Sequence, residues 1–305
     1  MATPGVHVDL RDLAALEFQT GGLSLKPRQP VHSLLAGRRA SRMRGRGLDF
    51  EEIRGYLPGD DIRSIDWRVT ARTGEPHVRV YTEERDRPVL FVVDQRIAMY
   101  WGTVLNMKSV TAAEAAAVLA WTALAGDDRV GGLVFDDSTL AEVKPLRSRA
   151  AVMQLLREVA DRNQALRADS EARSSAAMLD RALAAAERIV THDFLVIVVS
   201  DFDVDTEATR RRLLRMARNN DVVGVLVHDP SATDLPPTRE LVVSDGELQV
   251  EIPGGAHRRM AQFGADRIAA ILDWQRTIGI PILPLSAGEP TVQQLRHVMG
   301  LGAGR

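Results

Sequence analysis

The chain contains no cysteine in 305 residues, so disulfides, thiolate metal centres and cysteine nucleophiles are excluded. This fits a reducing compartment. Neither sign of charge dominates: a formal net charge of -2 gives no overall pull toward nucleic acid or an anionic membrane, and any electrostatic specificity must be local. Long apolar runs are also missing. The most apolar stretch, Phe194 to Val199, falls far short of the roughly 20 residues that span a bilayer. The opening residues MATPGVHVDLRDLAALEF carry acids where a signal peptide needs a basic start and an apolar run, so a cytoplasmic protein is expected. No GxxxxGK[ST], HExxH or GxSxG pattern occurs, which removes the usual sequence signs of nucleotide hydrolysis, metalloprotease chemistry and α/β-hydrolase chemistry. There is no internal repeat and no low-complexity segment, and a non-enzymatic protein is expected.

With 45% hydrophobic and 26% charged residues, the chain can bury a sizeable core. Two regimes follow one another. Residues 1–87 are charge-rich and irregular, with short helices predicted over Leu10 to Phe18 and over Asp49 to Tyr56, where Phe50 and Ile53 could share a face. Residues 88–305 alternate apolar strands with amphipathic helices. Strands are predicted at Val89 to Val93, Val130 to Phe135, Phe194 to Val199, Val222 to Val227 and Pro281 to Leu285. Several are Val/Ile-rich without polar alternation, as in strands covered on both faces. Helices are predicted at about Lys108 to Ala125, Ser148 to Asp161, Ala176 to Val190, Glu207 to Asn219 and Gly264 to Ile278. The alternation implies a doubly wound, mostly parallel α/β sheet with helices on both faces, preceded by a charge-rich region. Ser148 is placed to cap a helix, and Asn219-Asn220-Asp221 tolerates the left-handed backbone that stops one. Asp245-Gly246, between Glu240–Val243 and Leu248–Ile252, signals a hairpin.

The densest stretch is Gly45 to Asp94. It holds Gly45-Arg46-Gly47-Leu48-Asp49-Phe50, then Tyr56-Leu57-Pro58-Gly59-Asp60-Asp61-Ile62-Arg63, then Ile65-Asp66-Trp67, Ala71-Arg72, Val78-Arg79 and Glu83-Glu84, ending in Val89-Leu90-Phe91-Val92-Val93-Asp94. Together with Lys108, Gly126 to Gly131 and Ser200-Asp201-Phe202, these residues resemble the bacterial proteins called domain of unknown function 58, which carry a von Willebrand factor A-like domain. The resemblance runs from about Leu10 to about Met299. It implies a von Willebrand A-like fold and a partner, a MoxR-type AAA+ ATPase, with this chain acting as adaptor in the maturation or remodelling of a client protein.

In open α/β sheets ligands collect at the carboxyl ends of strands near the switch in strand order. Two predicted strands deliver Asp94 and Ser200-Asp201 there. In von Willebrand A-like domains these positions belong to a magnesium site with an Asp-x-Ser-x-Ser motif, a loop threonine and a later aspartate. Here the motif reads Asp94-Gln95-Arg96-Ile97-Ala98, so both serines are gone. Magnesium at Asp94 and Asp201 would lack hydroxyl ligands and would face a fixed cation. The expectation is a degenerate metal site in which the Arg96 guanidinium replaces the ion; one alternative leaves Arg96 in solvent with the carboxylates satisfied by helix N-termini and water, and another is a divalent-cation-dependent protein-binding module with the ion near Asp94 and Asp201. Ser174 or Ser175 falls near the family's loop threonine. Met99, Tyr100 and Trp101 follow at once, either as interface anchors or as packing under a loop.

Pro58, Gly59, Asp60, Asp61, Arg63, Asp66 and Trp67 admit two readings, a partner surface or an internal network with Trp67 as its apolar anchor, and the internal reading is preferred. Arg38, Arg39, Arg42, Arg44 and Arg46 raise a nucleic-acid or phosphate alternative, but no aromatic residue interleaves with them to stack bases, and acids follow directly. The seven histidines show no ligand spacing; His192 and His228 flank predicted strands and could approach the Asp201 edge.

Overall fold

A computed structural model of the chain describes residues 3–25, 48–57, 60–83, 86–169, 175–203, 206–233, 240–244, 249–253 and 257–301. Its elements are, in chain order, α1 Leu10–Ala15, β1 Leu48–Gly55, α2 Trp67–Thr73, β2 His77–Glu83, β3 Pro88–Asp94, α3 Lys108–Ala125, β4 Arg129–Phe135, β5 Leu140–Leu146, α4 Arg149–Ala165, α5 Ala176–Ile189, β6 Leu195–Ser200, α6 Glu207–Met216, β7 Asp221–His228, β8 Glu240–Ser244, β9 Gln249–Pro253, α7 His257–Leu272, α8 Trp274–Thr277, β10 Ile282–Ser286 and α9 Thr291–Arg296. They form two compact units, one of Met1–Gly37 with Arg87–Arg305 and one of Arg38–Asp86.

The larger unit is built on a six-stranded sheet of order β10-β7-β6-β3-β4-β5, parallel except for β5. The five strands expected from the Val/Ile runs are all present. Strand β3 shows why such runs lack polar alternation: every residue from Pro88 to Asp94 is buried. Val89, Phe91 and Val93 pack on the α3 face, while Leu90 and Val92 pack on the α5 face. Each such side chain contributes about 1.5–3 kcal/mol by leaving water. Helix α3 is buried along nearly its whole circumference, which explains its Ala-rich sequence. From β3 the chain winds to β4 on one side, then returns to place β6 on the other, so the switch in strand order lies between β3 and β6.

Strand β5 is an addition that the apolar pattern did not reveal. It is an antiparallel edge strand whose buried apolar contribution is Val143. It pairs across a bulge between Val130 and Gly132. Gly131 is required there, because a Cβ would lie 2.5 Å from the Val143 carbonyl oxygen. Val8, Leu13 and Leu25 belong to the core of the larger unit, so the start of the charge-rich region packs with the sheet domain. The capping prediction at Ser148 has its counterpart in an N–H from Ala151 to Ser148 Oγ at 3.2 Å. Asn219 and Asn220 do not take left-handed backbone; Asp127, Asp193 and Phe202 do. Asn220 instead accepts from the Phe194 N–H through its side chain at 3.0 Å. Strands β8 and β9 form the expected antiparallel hairpin, with Asp245-Gly246 outside the described residues.

In the smaller unit β1 pairs antiparallel with β2. The helix predicted over Asp49 to Tyr56 is therefore wrong. A bulge between Phe50 and Glu52 interrupts the two-residue period of β1, leaving Phe50 and Ile53 three apart in the spacing of a helix face. Among the described residues of the unit, the 3-10 turn Ile62–Ser64 and α2 lie between these strands in the chain.

Candidate functional site

The carboxyl ends of β3 and β6 carry a buried charge cluster at the switch in strand order. Asp94 ends β3 and Ser200 ends β6. The Arg96 side chain, 0% exposed, turns back onto Asp94: Nε lies 3.0 Å from Oδ1 and Nη2 lies 2.7 Å from Oδ2. This is the side-on fork that suits a guanidinium to a carboxylate. The Arg96 backbone N–H also donates to Asp94 Oδ1 at 3.0 Å, and the Ser200 hydroxyl donates to Oδ2 at 2.7 Å. The same Nη2 reaches Asp203 Oδ1 at 2.6 Å and stands 3.9 Å from Asp201 Oδ1. Nη1 donates to the Ser175 carbonyl at 3.3 Å, and the Phe135 ring lies beneath the guanidinium at 5.8 Å.

Asp201 has a second cation. The Lys108 ammonium, at the first position of α3, pairs with its Oδ2, while its Oδ1 accepts from the Asp203 N–H at 3.0 Å. Arg267 from α7 donates to the Asp201 carbonyl at 3.0 Å. Left-handed backbone at Phe202, with φ of 48, bends the chain so that Asp201 and Asp203 flank Arg96. Burial pushes the Asp94 carboxyl above the usual carboxylate range, against the opposing pull of Arg96. Burial also pushes on Asp201, but Lys108, Arg96 and Arg267 outweigh it and hold that carboxyl below the usual range. Asp94 and Asp203 hold Arg96 firmly protonated.

Around this cluster, Asp137 accepts from the Ile97 N–H at 2.6 Å through one oxygen and from the Ser175 N–H at 2.7 Å through the other. One carboxylate thus ties the loop after β3 to the entry of α5. Ala98 supplies no polar side-chain atom to the cluster. Ser175 enters it through backbone groups, and Ser174 lies outside the described residues.

The three residues expected as anchors divide. Met99 is core and fully buried, and Tyr100 stacks on His7 with ring centroids 5.5 Å apart. Trp101 is 43% exposed, and Val104 and Leu105 beside it are exposed as well. Their loop is held firmly: Thr103 donates twice to Asp229, by N–H at 2.9 Å and by hydroxyl at 2.7 Å, and Trp101 Nε1 donates to Ser231 Oγ at 3.2 Å. Gly264 of α7 packs against the same Ser231 turn so closely that a Cβ would sit 1.9 Å from the Ala232 carbonyl oxygen.

His192 does not reach the Asp201 edge. It precedes β6, at the opposite end of the strand, and faces its neighbour Asp193. His228 does lie at the carboxyl end of β7, where burial holds its imidazole below the ordinary value.

In the smaller unit, Asp60 takes a double fork from Arg54, both contacts at 2.8 Å, and accepts from the Leu57 N–H. Asp61 caps the Ile62–Ser64 turn by accepting from the Arg63 N–H, and Asp66 caps α2 by accepting from the Arg68 and Val69 N–H groups. Trp67 is not an apolar anchor: it is 69% exposed. At the first position of a short helix its side chain projects from the unit. Pro58, Gly59 and the Arg38 to Arg46 segment lie outside the described residues.

Sequence reasoning missed Lys108 and Asp203 as members of the cluster, and Asp137 as the tie beside it. One signal for Lys108 was available. A lysine at the first position of a helix opposes the helix dipole, and such a local violation points to a tertiary partner.

The class defined by these features is an α/β domain whose sheet switch carries an ion-paired cluster of three aspartates, one arginine and one lysine. The chain matches the family described as protein of unknown function DUF58 over residues 52–261, and it belongs to that family. Among its relatives are the uncharacterized protein Rv1480 of Mycobacterium tuberculosis and the uncharacterized protein Mb1516 of Mycobacterium bovis, each 30% identical over 267 residues, covering 86% of this chain and 82% of the relative. A solved structure of proximal thread matrix protein 1 from the mussel byssus aligns with a TM-score of 0.30 at 12% identity, covering 47% of this chain and 38% of that one. Likeness at that level carries no functional inference. No helix among the described residues is long and apolar enough to cross a membrane.

Proposed function

We propose that this chain is a non-enzymatic, von Willebrand A-like docking protein whose partner site at the carboxyl edge of the sheet works without a metal ion. The observation that carries the reading is the Arg96 guanidinium seated between Asp94 and Asp203. A hard divalent cation needs free oxygen ligands. Here both Asp94 oxygens receive donors from Arg96, with Ser200 added on one, and both Asp201 oxygens are engaged by Lys108 and the Asp203 N–H. The residues present therefore do not fit magnesium. What the cluster supplies is fixed geometry: two strand ends, the loop after β3 and the start of α3 are held by one network, and Asp137 adds the entry of α5.

Rigid support beneath exposed apolar groups favours binding, because less order must be imposed when the partner arrives. Trp101, Val104 and Leu105 are such groups, on a loop pinned by Asp229. The family resemblance supplies the partner class, a MoxR-type AAA+ ATPase, with the client protein reached through that pair. The test is calorimetric titration of a MoxR-type ATPase from the same organism into the chain, in chelator and then with magnesium and nucleotide. Binding in chelator that falls at least tenfold in Trp101→Ala is the expected result. No complex under either condition, or a complex that needs metal and Asp94 of this chain, would sink the reading.

A further inference from the structure

The smaller unit sorts its own signature charges into two groups. Three of its acids have roles within the unit: Asp60 pairs with Arg54, Asp61 caps the Ile62–Ser64 turn and Asp66 caps α2. Arg63, Arg68 and Arg72 are exposed, and none has an acid partner among the described residues. Along α2, Trp67, Arg68, Ala71 and Arg72 are exposed, while Val69 and Thr70 turn partly inward. Residues spaced by four share a helix face, so Trp67 and Ala71 lie beside Arg68 and Arg72. Ile62, 67% exposed, lies one short turn earlier in the chain next to Arg63.

This face is a poor folding device. Arg68 and Arg72 form a like-charged pair at a spacing that weakens a helix, and neither Trp67 nor Ile62 gains burial. A large aromatic flanked by guanidinium forks that have no acid partner among the described residues is, however, the composition of residues that dominate protein interfaces. We propose that the outward face of α2, with Ile62 and Arg63, is a second docking site, and that its occupant is a partner-protein segment bearing carboxylates around a large apolar side chain. Guanidinium forks match carboxylates bidentately, and Trp67 offers the flat apolar area between them. Acidic and basic residues are nearly balanced across the Arg38–Asp86 unit, which gives no general attraction to an anionic bilayer and favours a protein over a lipid surface. The site is independent of the sheet-edge reading, since it shares no residue with it.

The probe is a displayed library of random twelve-residue peptides, selected on the full chain and counter-selected on an Arg68→Glu, Arg72→Glu variant. The expected outcome is enrichment of sequences that combine Asp or Glu with Trp, Phe or Leu. Synthetic versions should bind the parent with an affinity that falls as salt rises, and should weaken about tenfold or more in the double variant, as expected when charge-assisted contacts are lost. Trp67→Ala should weaken the same peptides while leaving the thermal melt unchanged. Peptides with no acidic bias, equal binding by the double variant, or binding only to phosphatidylglycerol vesicles would each overturn the proposal. Because all these side chains are exposed, unfolding of the variants does not obscure the result; an Arg68→Gln, Arg72→Gln variant, which should show an intermediate loss, guards against it.

Discussion

Replacing Arg96 by methionine keeps the stem of the side chain and deletes its charge. In the parent the guanidinium is fully buried and satisfies both oxygens of Asp94 and one of Asp203. The variant leaves the Asp94 carboxylate with Ser200 and one backbone N–H as its remaining donors. Removing one partner of a buried pair costs about 3–5 kcal/mol, chiefly the penalty of an uncompensated buried charge. At about 2–4 °C per kcal/mol for a domain of this size, the melting temperature should fall by about 6–20 °C. The double variant Arg96→Met, Asp94→Leu removes the stranded charge as well and should recover much of the loss. Urea unfolding at pH 7, followed by circular dichroism, measures these three proteins and the Asp94→Leu single variant, and the four together close the double-mutant cycle. The deficit of the single variant should also shrink as pH falls. Burial already raises the Asp94 carboxyl in the parent and would raise it further without Arg96, so in acid it folds neutral at little cost. A single variant within about 1 kcal/mol of the parent would refute the reasoning, since a solvent-facing arginine is worth no more than that.

Three further outcomes are expected. Asp137→Ala deprives the Ile97 and Ser175 N–H groups of their acceptor and should cost about 2 kcal/mol, with faster hydrogen exchange at those two amides than at the strand ends; unchanged exchange there would count against its role as a tie. Glu114, on α3, is raised by burial, with Asp12 adding to the effect, so in the parent stability is full below the unfolded glutamate value of about 4.3 and is lost as pH rises through the raised folded value. Glu114→Gln should therefore gain stability relative to the parent as pH rises through that window, and a gain that grows toward acid would contradict the assignment. Asp66→Ala removes the α2 cap and should cost about 1 kcal/mol, while Asp66→Asn keeps most of it; equal loss in both would show that Asp66 acts by charge and not by capping.

The central strands were legible because their burial on both faces is written as unbroken Val and Ile. Strand β1 was not, since its bulge imitates helical spacing, and β5 was not, since an edge strand with one buried apolar residue leaves little pattern. The Asp94-x-Arg96 pair could be seen in the sequence because it is local and falls at a strand end. Lys108 and Asp137 reach the cluster only through the fold, across 93 residues to Asp201 and 40 to Ile97. Met99 and Trp101 show a further limit. They are two residues apart and both apolar in sequence, yet Met99, which closes the 3-10 turn Ile97–Met99, is core, while Trp101, beyond the end of that turn, is 43% exposed.

Occupancy of the sheet switch by Arg96 is tested most directly by isothermal titration of the full chain with magnesium and manganese, beside an Arg96→Ser, Ala98→Ser variant. The parent should give no saturable heat, and the variant, which regains two hydroxyls and loses the cation, should bind. Saturable binding by the parent that disappears in Asp94→Ala would contradict the arginine-for-metal reading and place metal-dependent docking first.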